Sequence, residues 1–155
     1  MIKIKSLNHL VLFVSNVEVS KKFYCENLGF KVREKLGKDA VFLHAGGSDN
    51  HHDLGLIFAG PNPTQLSHGP RIGLYHSAWE VGTIEDLVEA KESLESLGVL
   101  GGESEHGNSI SLYAKDPDGN EFEVFWMVPE EDWKNREFGV HKIDWDKELA
   151  TYGKK

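Results

Sequence analysis

The run Leu7 to Val14, Leu-Asn-His-Leu-Val-Leu-Phe-Val, is apolar and β-rich and predicts a strand buried on at least one face. Asn16 then stands where a helix N-cap belongs. Val19, Phe23, Tyr24 and Leu28 follow at helical spacing, and Gly29 closes the segment. Three more strands are expected, Phe30 to Leu36, Ala40 to His44 and Asp53 to Phe58, with Gly-Gly-Ser-Asp-Asn at 46–50 as the turn before the last. A loop of turn formers occupies 60–70, after which the order restarts. Gly73 to Val81 reads as a strand, and Thr83 with Asp86 forms a capping pair. Ile84, Leu87, Val88, Leu94 and Leu97 make a helical stripe that ends at Gly98. A weak strand near Val99 to Glu103 precedes two clear ones, Ser109 to Ala114 and Glu121 to Met127, the latter two joined by the turn Asp116-Pro-Asp-Gly-Asn120.

The second half repeats the first at an interval of roughly 65 residues. Asn8 to Val14 aligns with Tyr75 to Val81, and His52 to Phe58 aligns with Asn120 to Trp126. The expected class is α+β: two paired βαβββ modules, 5–60 and 72–128, forming one domain over 1–128, followed by a C-terminal extension over 129–155. Neither half can close a curved sheet alone, so the modules are expected to pair in a partly closed mixed sheet around a central metal cavity.

The repeat sets His9 against His76, and Gly55 against Glu123. Strand side chains alternate between faces, so His9 and Phe13 point one way, Leu10 and Leu12 the other. His9 and His76 thereby face one cavity from equivalent strands, and Glu123 points inward from the last strand. Two imidazoles and a carboxylate make a facial triad suited to non-haem iron(II) with open positions. Taken singly, each histidine reads as a satisfied strand residue and Glu123 as an exposed one. Their coincidence in the repeat favours the metal.

Composition narrows the function classes. With 155 residues, 39% apolar and 27% charged, the chain matches an ordinary domain. A net charge of −8 opposes binding to nucleic acid or an anionic membrane surface. No apolar run approaches the ~20 residues of a membrane span. The first residues carry basic groups ahead of an apolar stretch but no small-residue cleavage site, so the stretch reads as a strand and the chain as cytoplasmic. The lone Cys25 excludes an intrachain disulfide and a cysteine-based zinc site, and its helical setting reads as a half-buried structural thiol.

The segments LNHLVLFVSNVEVSKKFYCENLGFKV, GLYHSAWEV and SLYAKDPDGNEFEVFW resemble the vicinal oxygen chelate superfamily over roughly residues 5 to 128. That superfamily includes glyoxalase I, fosfomycin-resistance proteins, methylmalonyl-CoA epimerase and the extradiol dioxygenases. The resemblance carries its metal-ligand positions onto His9, His76 and Glu123. Glyoxalase I and the epimerase place Glu or Gln where this chain has Gly55, so the resemblance points to the three-ligand branches. Within these, His52 resembles the histidine that assists oxygen binding and proton transfer in extradiol enzymes, a role neighbouring His51 could take. Tyr113, ten residues before Glu123, resembles the tyrosine that hydrogen-bonds substrate, and His106 the second acid–base histidine. Plainer readings make His52 a loop residue, His106 a surface residue and Tyr113 core. His44, His68 and His141 are read as structural or exposed.

The resemblance implies an enzyme, a single-domain extradiol dioxygenase of aromatic catabolism using iron(II), with manganese(II) as the alternative metal. Its partners would be a catechol-like aromatic diol and O2, and its assembly a homo-oligomer. Phe13, Trp79, Phe125 and Trp126 are expected to line an apolar pocket. The extension, with Trp133, Phe138 and Trp145, is expected over the site mouth or a subunit contact, or else as a loosely docked segment. The rival is a fosfomycin-type thiol transferase or other glyoxalase-like lyase, for which Arg71 is the nearest cation in sequence. A further rival is a metal-free sequestering protein of the bleomycin-binding kind.

Overall fold

The computed structural model describes residues 1–64 and 72–154, and each half of the described chain builds a four-stranded sheet from period-two strands. His68 and Arg71 lie outside the described residues. The chain divides into two units, Met1–Leu66 and Ser67–Lys155.

In the first unit, β1 (Leu10–Val14) buries Leu12 and Val14 and exposes Val11 and Phe13. His9 and the two residues before it precede the strand rather than belonging to it. Helix α1 (Val17–Asn27) starts at Asn16, whose side chain accepts from the backbone N–H of Glu18 and Val19. Its buried positions are Val17, Ser20 and Tyr24, whereas Val19, expected in the stripe, is 50% exposed. The packed face therefore starts one turn position earlier than the apolar residues alone indicate. Strands β2 (Lys31–Leu36), β3 (Ala40–His44) and β4 (Leu54–Phe58) complete a sheet of order β1-β4-β3-β2. β1 and β4 run parallel and the remaining pairs antiparallel. Leu43, Leu54 and Leu56 are fully buried, each worth roughly 1.5–3 kcal/mol of removal from water.

The second unit repeats this. β5 (His76–Glu80), α2 (Ile84–Ser96), β6 (Leu100–Glu105), β7 (Ser109–Lys115) and β8 (Glu121–Met127) form a sheet of order β5-β8-β7-β6. Thr83 and Asp86 make the reciprocal capping box, and Ile84, Leu87 and Leu94 are the buried stripe. The weak third strand is a full six-residue β6. Ile110, Leu112 and Phe122 are fully buried, and Tyr113 and Glu123 alternate with them onto the other face.

The repeat extends to register. β1 pairs with β4 as β5 pairs with β8, so Val11 meets Gly55 and Ala78 meets Glu123 at corresponding places. Each module also carries a bulge at the same strand, between Val32 and Glu34 and between Leu100 and Gly102. The α+β class and the two βαβββ modules are thus as expected.

The extension is docked within the second unit. A 3-10 turn (Glu130–Asn135) is followed by a bridge between His141 and Glu105, and by α3 (Trp145–Tyr152). Trp145 Nε1 donates to Glu103 at 3.2 Å, and the Trp126 and Tyr152 rings lie 5.1 Å apart. Among the described residues no helix is long and apolar enough to cross a membrane.

Candidate functional site

His76 opens β5 and Glu123 sits two residues into β8, on neighbouring parallel strands. Their side chains meet, with His76 Nε2 and Glu123 Oε2 3.0 Å apart and both largely shielded from solvent. Two donor atoms held about 2.1 Å from a metal at right angles would lie about 3.0 Å apart, so the pair fits one edge of a coordination shell. A cation there would replace the proton the two groups otherwise share, since both must be deprotonated to ligate. His76 Nδ1 is buried with no hydrogen-bond partner among the described residues, so Glu123 is the group that fixes this ring.

Tyr113 is the direct cross-strand partner of Glu123, which places its ring 5.9 Å from that of His76. Its Oη lies 2.7 Å from His106 Nε2, which also contacts Ser104 Oγ at 2.9 Å. His106 Nδ1 is 2.8 Å from the carbonyl oxygen of Gly139 in the extension. His106 is therefore a half-buried, fully engaged residue beside Tyr113, not a free surface histidine. The second unit thus brings His76, Glu123, Tyr113 and His106 together.

The first unit brings His9 and His52 together, their rings 4.6 Å apart, with Phe42 5.0 Å from His52 on another side. His51 Nδ1 lies 3.2 Å from His52 Nδ1 and its own ring is exposed, so His52 is the one packed against His9. Loss of hydration lowers the His52 pKa below the ordinary histidine value, and positive charge on His9 or His51 would lower it further. His52 is thereby held neutral near pH 7, able to accept a proton.

Three residues that sequence reasoning missed set the state of His9. The amide nitrogen of Asn50 donates to Asn8 O at 2.8 Å and to Asp53 Oδ1 at 2.9 Å, two groups that only accept. Asn50 Oδ1 must then face Asn8, and it accepts from Asn8 Nδ2 at 3.0 Å. Asn8 Oδ1 in turn faces His9 Nδ1 at 2.9 Å, which must carry the proton. His9 Nε2 is left with a bare lone pair, the state a metal ligand needs. The chain bridges 42 residues, and no local spacing announces it.

Asp53 anchors that chain. It is buried and also accepts from Ser48 Oγ at 2.5 Å and Ala45 N at 2.8 Å, with His44 Nδ1 at 3.4 Å. Burial alone would raise its pKa, but the hydrogen bonds from Ser48, Ala45 and Asn50 prevail and lower it. Its stabilisation is complete above the unfolded carboxyl value of about 3.9 and is lost as pH falls through the lower folded value. Asp53→Ala should cost about 1–3 kcal/mol at pH 7 by leaving buried donors unpaired. Urea titrations at pH 7 and in acid check this: the gap between wild type and variant should narrow in acid, and an unchanged gap would contradict the anchor.

Gly55, at the position equivalent to Glu123, is closed over by its neighbours. A Cβ there would stand 3.3 Å from Val11 Cγ2 and 3.4 Å from two ring carbons of Phe42. The position lacks a ligating side chain, and adding one requires the Val11 and Phe42 side chains to give by a few tenths of an ångström. Gly55→Glu should overpack the sheet at a cost of about 1–3 kcal/mol. A Gly55→Glu protein as stable as wild type in thermal melts would show that the gap is not filled as described.

Not every expected residue lies on the same face. Trp79 alternates away from His76, and Trp126, buried beside Tyr152, alternates away from Glu123. Both belong to the opposite side of the sheet, whereas Phe125 shares the face of Glu123. Among the described residues no group of three or more His, Cys, Asp or Glu side chains stands close enough to hold a metal ion, so the expected set of His9, His76 and Glu123 is represented only by the His76–Glu123 pair. Cys25 is half-buried, and burial raises its thiol pKa, as an unreactive structural residue requires.

Residues 6–124 match the family model for the Glyoxalase/Bleomycin resistance protein/Dioxygenase superfamily. The chain is 29% identical over 128 residues to catechol-2,3-dioxygenase of Bacillus subtilis, an alignment covering 83% of this chain and 44% of that protein. It is 32% identical over 117 residues to biphenyl-2,3-diol 1,2-dioxygenase 2 of Rhodococcus globerulus, covering 75% of this chain and 60% of that protein. It is also 33% identical over 127 residues to metallothiol transferase FosB of Bacillus licheniformis, covering 79% of this chain and 75% of that protein. The chain thus spans about half the length of the dioxygenases it matches. With the family model matched across both modules, the chain belongs to the Glyoxalase/Bleomycin resistance protein/Dioxygenase superfamily.

Proposed function

We propose that the protein is a metal-dependent extradiol dioxygenase of catechol-like diols, with His9, His76 and Glu123 as ligands of iron(II), or of manganese(II). The observation that carries this reading is the placement of the His76–Glu123 pair, 3.0 Å apart, beside the Tyr113–His106 hydrogen bond of 2.7 Å. The candidate metal donors on β5 and β8 then stand beside a proton-transfer pair formed by β7 and the β6–β7 turn. The similarity to a catechol-2,3-dioxygenase and a biphenyl-2,3-diol 1,2-dioxygenase supports the same chemistry.

When bound, the metal would supply adjacent positions at which a deprotonated diol and O2 are held together. The protein's residues manage the protons. Tyr113 Oη lies within hydrogen-bond reach of His106 Nε2, so a proton taken from a diol hydroxyl can pass on to the imidazole. His52, neutral at pH 7, can take up a second proton on the His9 side and return it. Phe125, on the face of Glu123, supplies apolar surface for an aromatic ring.

A second reading, a metal-dependent thiol transferase, is favoured by the FosB match, which covers more of its relative's length. A phosphonate substrate would require a free cation, and the one buried guanidinium described in the second unit, Arg136, is already bound by Glu105 and Glu148. Iron(II)-loaded protein mixed with a panel of catechols in air tests the choice. A yellow ring-fission product with matching oxygen uptake is expected. Loss of fosfomycin and thiol, with no oxygen consumed, would replace the dioxygenase reading with the transferase.

A further inference from the structure

The extension reaches the candidate site through its backbone. Glu105 N donates to His141 O at 3.0 Å and His141 N returns a bond to Glu105 O at 2.9 Å, so His141 forms an isolated antiparallel bridge with the end of β6. Gly107 lies directly under it, at φ +88°, and a Cβ there would stand 2.7 Å from Glu137 O. Glycine is required twice over at this crossing, once by backbone conformation and once by the passing chain.

Arg136 clamps the segment. Its guanidinium grips Glu148 of α3 with both carboxylate oxygens, at 3.0 and 2.9 Å, and Glu105 of β6 at 3.1 Å. Bonds from Glu148 first, then Glu105, raise the already high arginine pKa, so the clamp stays charged at every working pH. A bidentate pair of this kind fixes orientation as well as energy. It sets the chain that carries Gly139 against the residue after Glu105, which is His106.

We infer that the C-terminal extension is a positioning element that sets the tautomer of His106. A carbonyl oxygen only accepts, so the 2.8 Å contact with Gly139 O requires a proton on His106 Nδ1. Neutral His106 then has a bare Nε2, and the nearest donor to it is the Tyr113 hydroxyl at 2.7 Å. Ser104 Oγ, at 2.9 Å, is the other hydroxyl beside Nε2; with the nearer Tyr113 hydroxyl as donor, the Tyr113 lone pairs face other directions. On the dioxygenase reading, on which this last step rests, Tyr113 accepts the diol proton as its own moves to His106 Nε2. The imidazolium formed keeps its Nδ1–H on Gly139 O. The opposite tautomer would leave Gly139 O without its proton and turn His106 into a donor toward Tyr113.

Two-bond 1H–15N correlation spectra of the full-length metal-free protein read the tautomer without any turnover, with His106→Gln identifying the signal. Wild type should show His106 with protonated Nδ1 and bare Nε2, and Arg136→Met should shift the pattern toward a mixture of both tautomers. Tyr113→Phe should move the Nε2 shift and leave Nδ1 protonated. A wild-type His106 carrying its proton on Nε2 overturns the inference by itself, even if Arg136→Met fails to fold. A folded Arg136→Met protein with an unchanged His106 pattern overturns the role of the clamp. Absence of dioxygenase activity would leave these spectra untouched and would count only against the proposed reaction.

Discussion

His76→Ala is expected to abolish tight metal binding while the protein stays folded. The side chain lies at the start of β5 on the less buried face of its sheet, so its loss opens no large core cavity. It does remove the one group held 3.0 Å from Glu123 Oε2. Losing an outer hydrogen-bond partner of a ligand typically costs 10–100-fold in metal affinity, and losing a ligand should exceed about 100-fold. Calorimetric titration with manganese(II), with far-UV circular dichroism to confirm folding, reads the result. Glu123→Gln should fall in the same class, because a neutral amide cannot replace the carboxylate charge. Metal affinity within a few-fold of wild type in folded His76→Ala would remove His76 from the ligand set, and with it the pairing to Glu123 as a metal edge.

His52→Ala should give the opposite separation, keeping metal and losing turnover. A positioned acid–base side chain typically contributes about 10²–10⁴-fold, and kcat should fall within that range. His52 packs on His9 without sharing the hydrogen-bond chain that fixes it, so metal content should be preserved. The lowered pKa of His52 predicts a pH dependence with a definite sign. The neutral form is the one able to accept a proton, so activity should persist on acidification past the ordinary histidine value of about 6.5 and decline only as pH falls through the lower folded value. In His52→Ala that limb should disappear. Unchanged kcat with full metal content would assign His52 to packing against Phe42 alone.

Much of the fold was legible because its signals are local and periodic. The alternation in Leu10–Val14 and Glu121–Met127, the capping box at Thr83 and the turn at Asp116–Asn120 each speak through a few adjacent residues. The repeat added the one long-range fact that local patterns lack, and the matching Val11–Gly55 and Ala78–Glu123 registers embody it. Val19 was misplaced because apolarity was weighed above position, whereas buried Ser20 fits the packed face by its small size. Trp126 was misplaced despite the alternation: it shares parity with buried Phe122, and its indole packs on Tyr152 from an extension that has no counterpart in the repeat.

The support beneath the candidate site was not legible, for a physical reason. Asn8, Asn50 and Asp53 act through amide orientations handed from one residue to the next across distant loops. Arg136 meets Glu105 31 residues away and Glu148 12 residues away, in a chain whose many charges look alike from sequence. Only the folded backbone shows that these groups are buried, and only burial makes their orientation consequential.

The fate of labelled oxygen tests the central claim most directly. Iron(II)-loaded protein, with its ferrous state confirmed, would turn over a catechol under 18O2 with the product read by mass spectrometry. An open three-ligand site acting as an extradiol dioxygenase predicts a product cleaved next to the diol and carrying two labelled oxygen atoms. No labelled product from any catechol, with ferrous ion bound throughout, would contradict it.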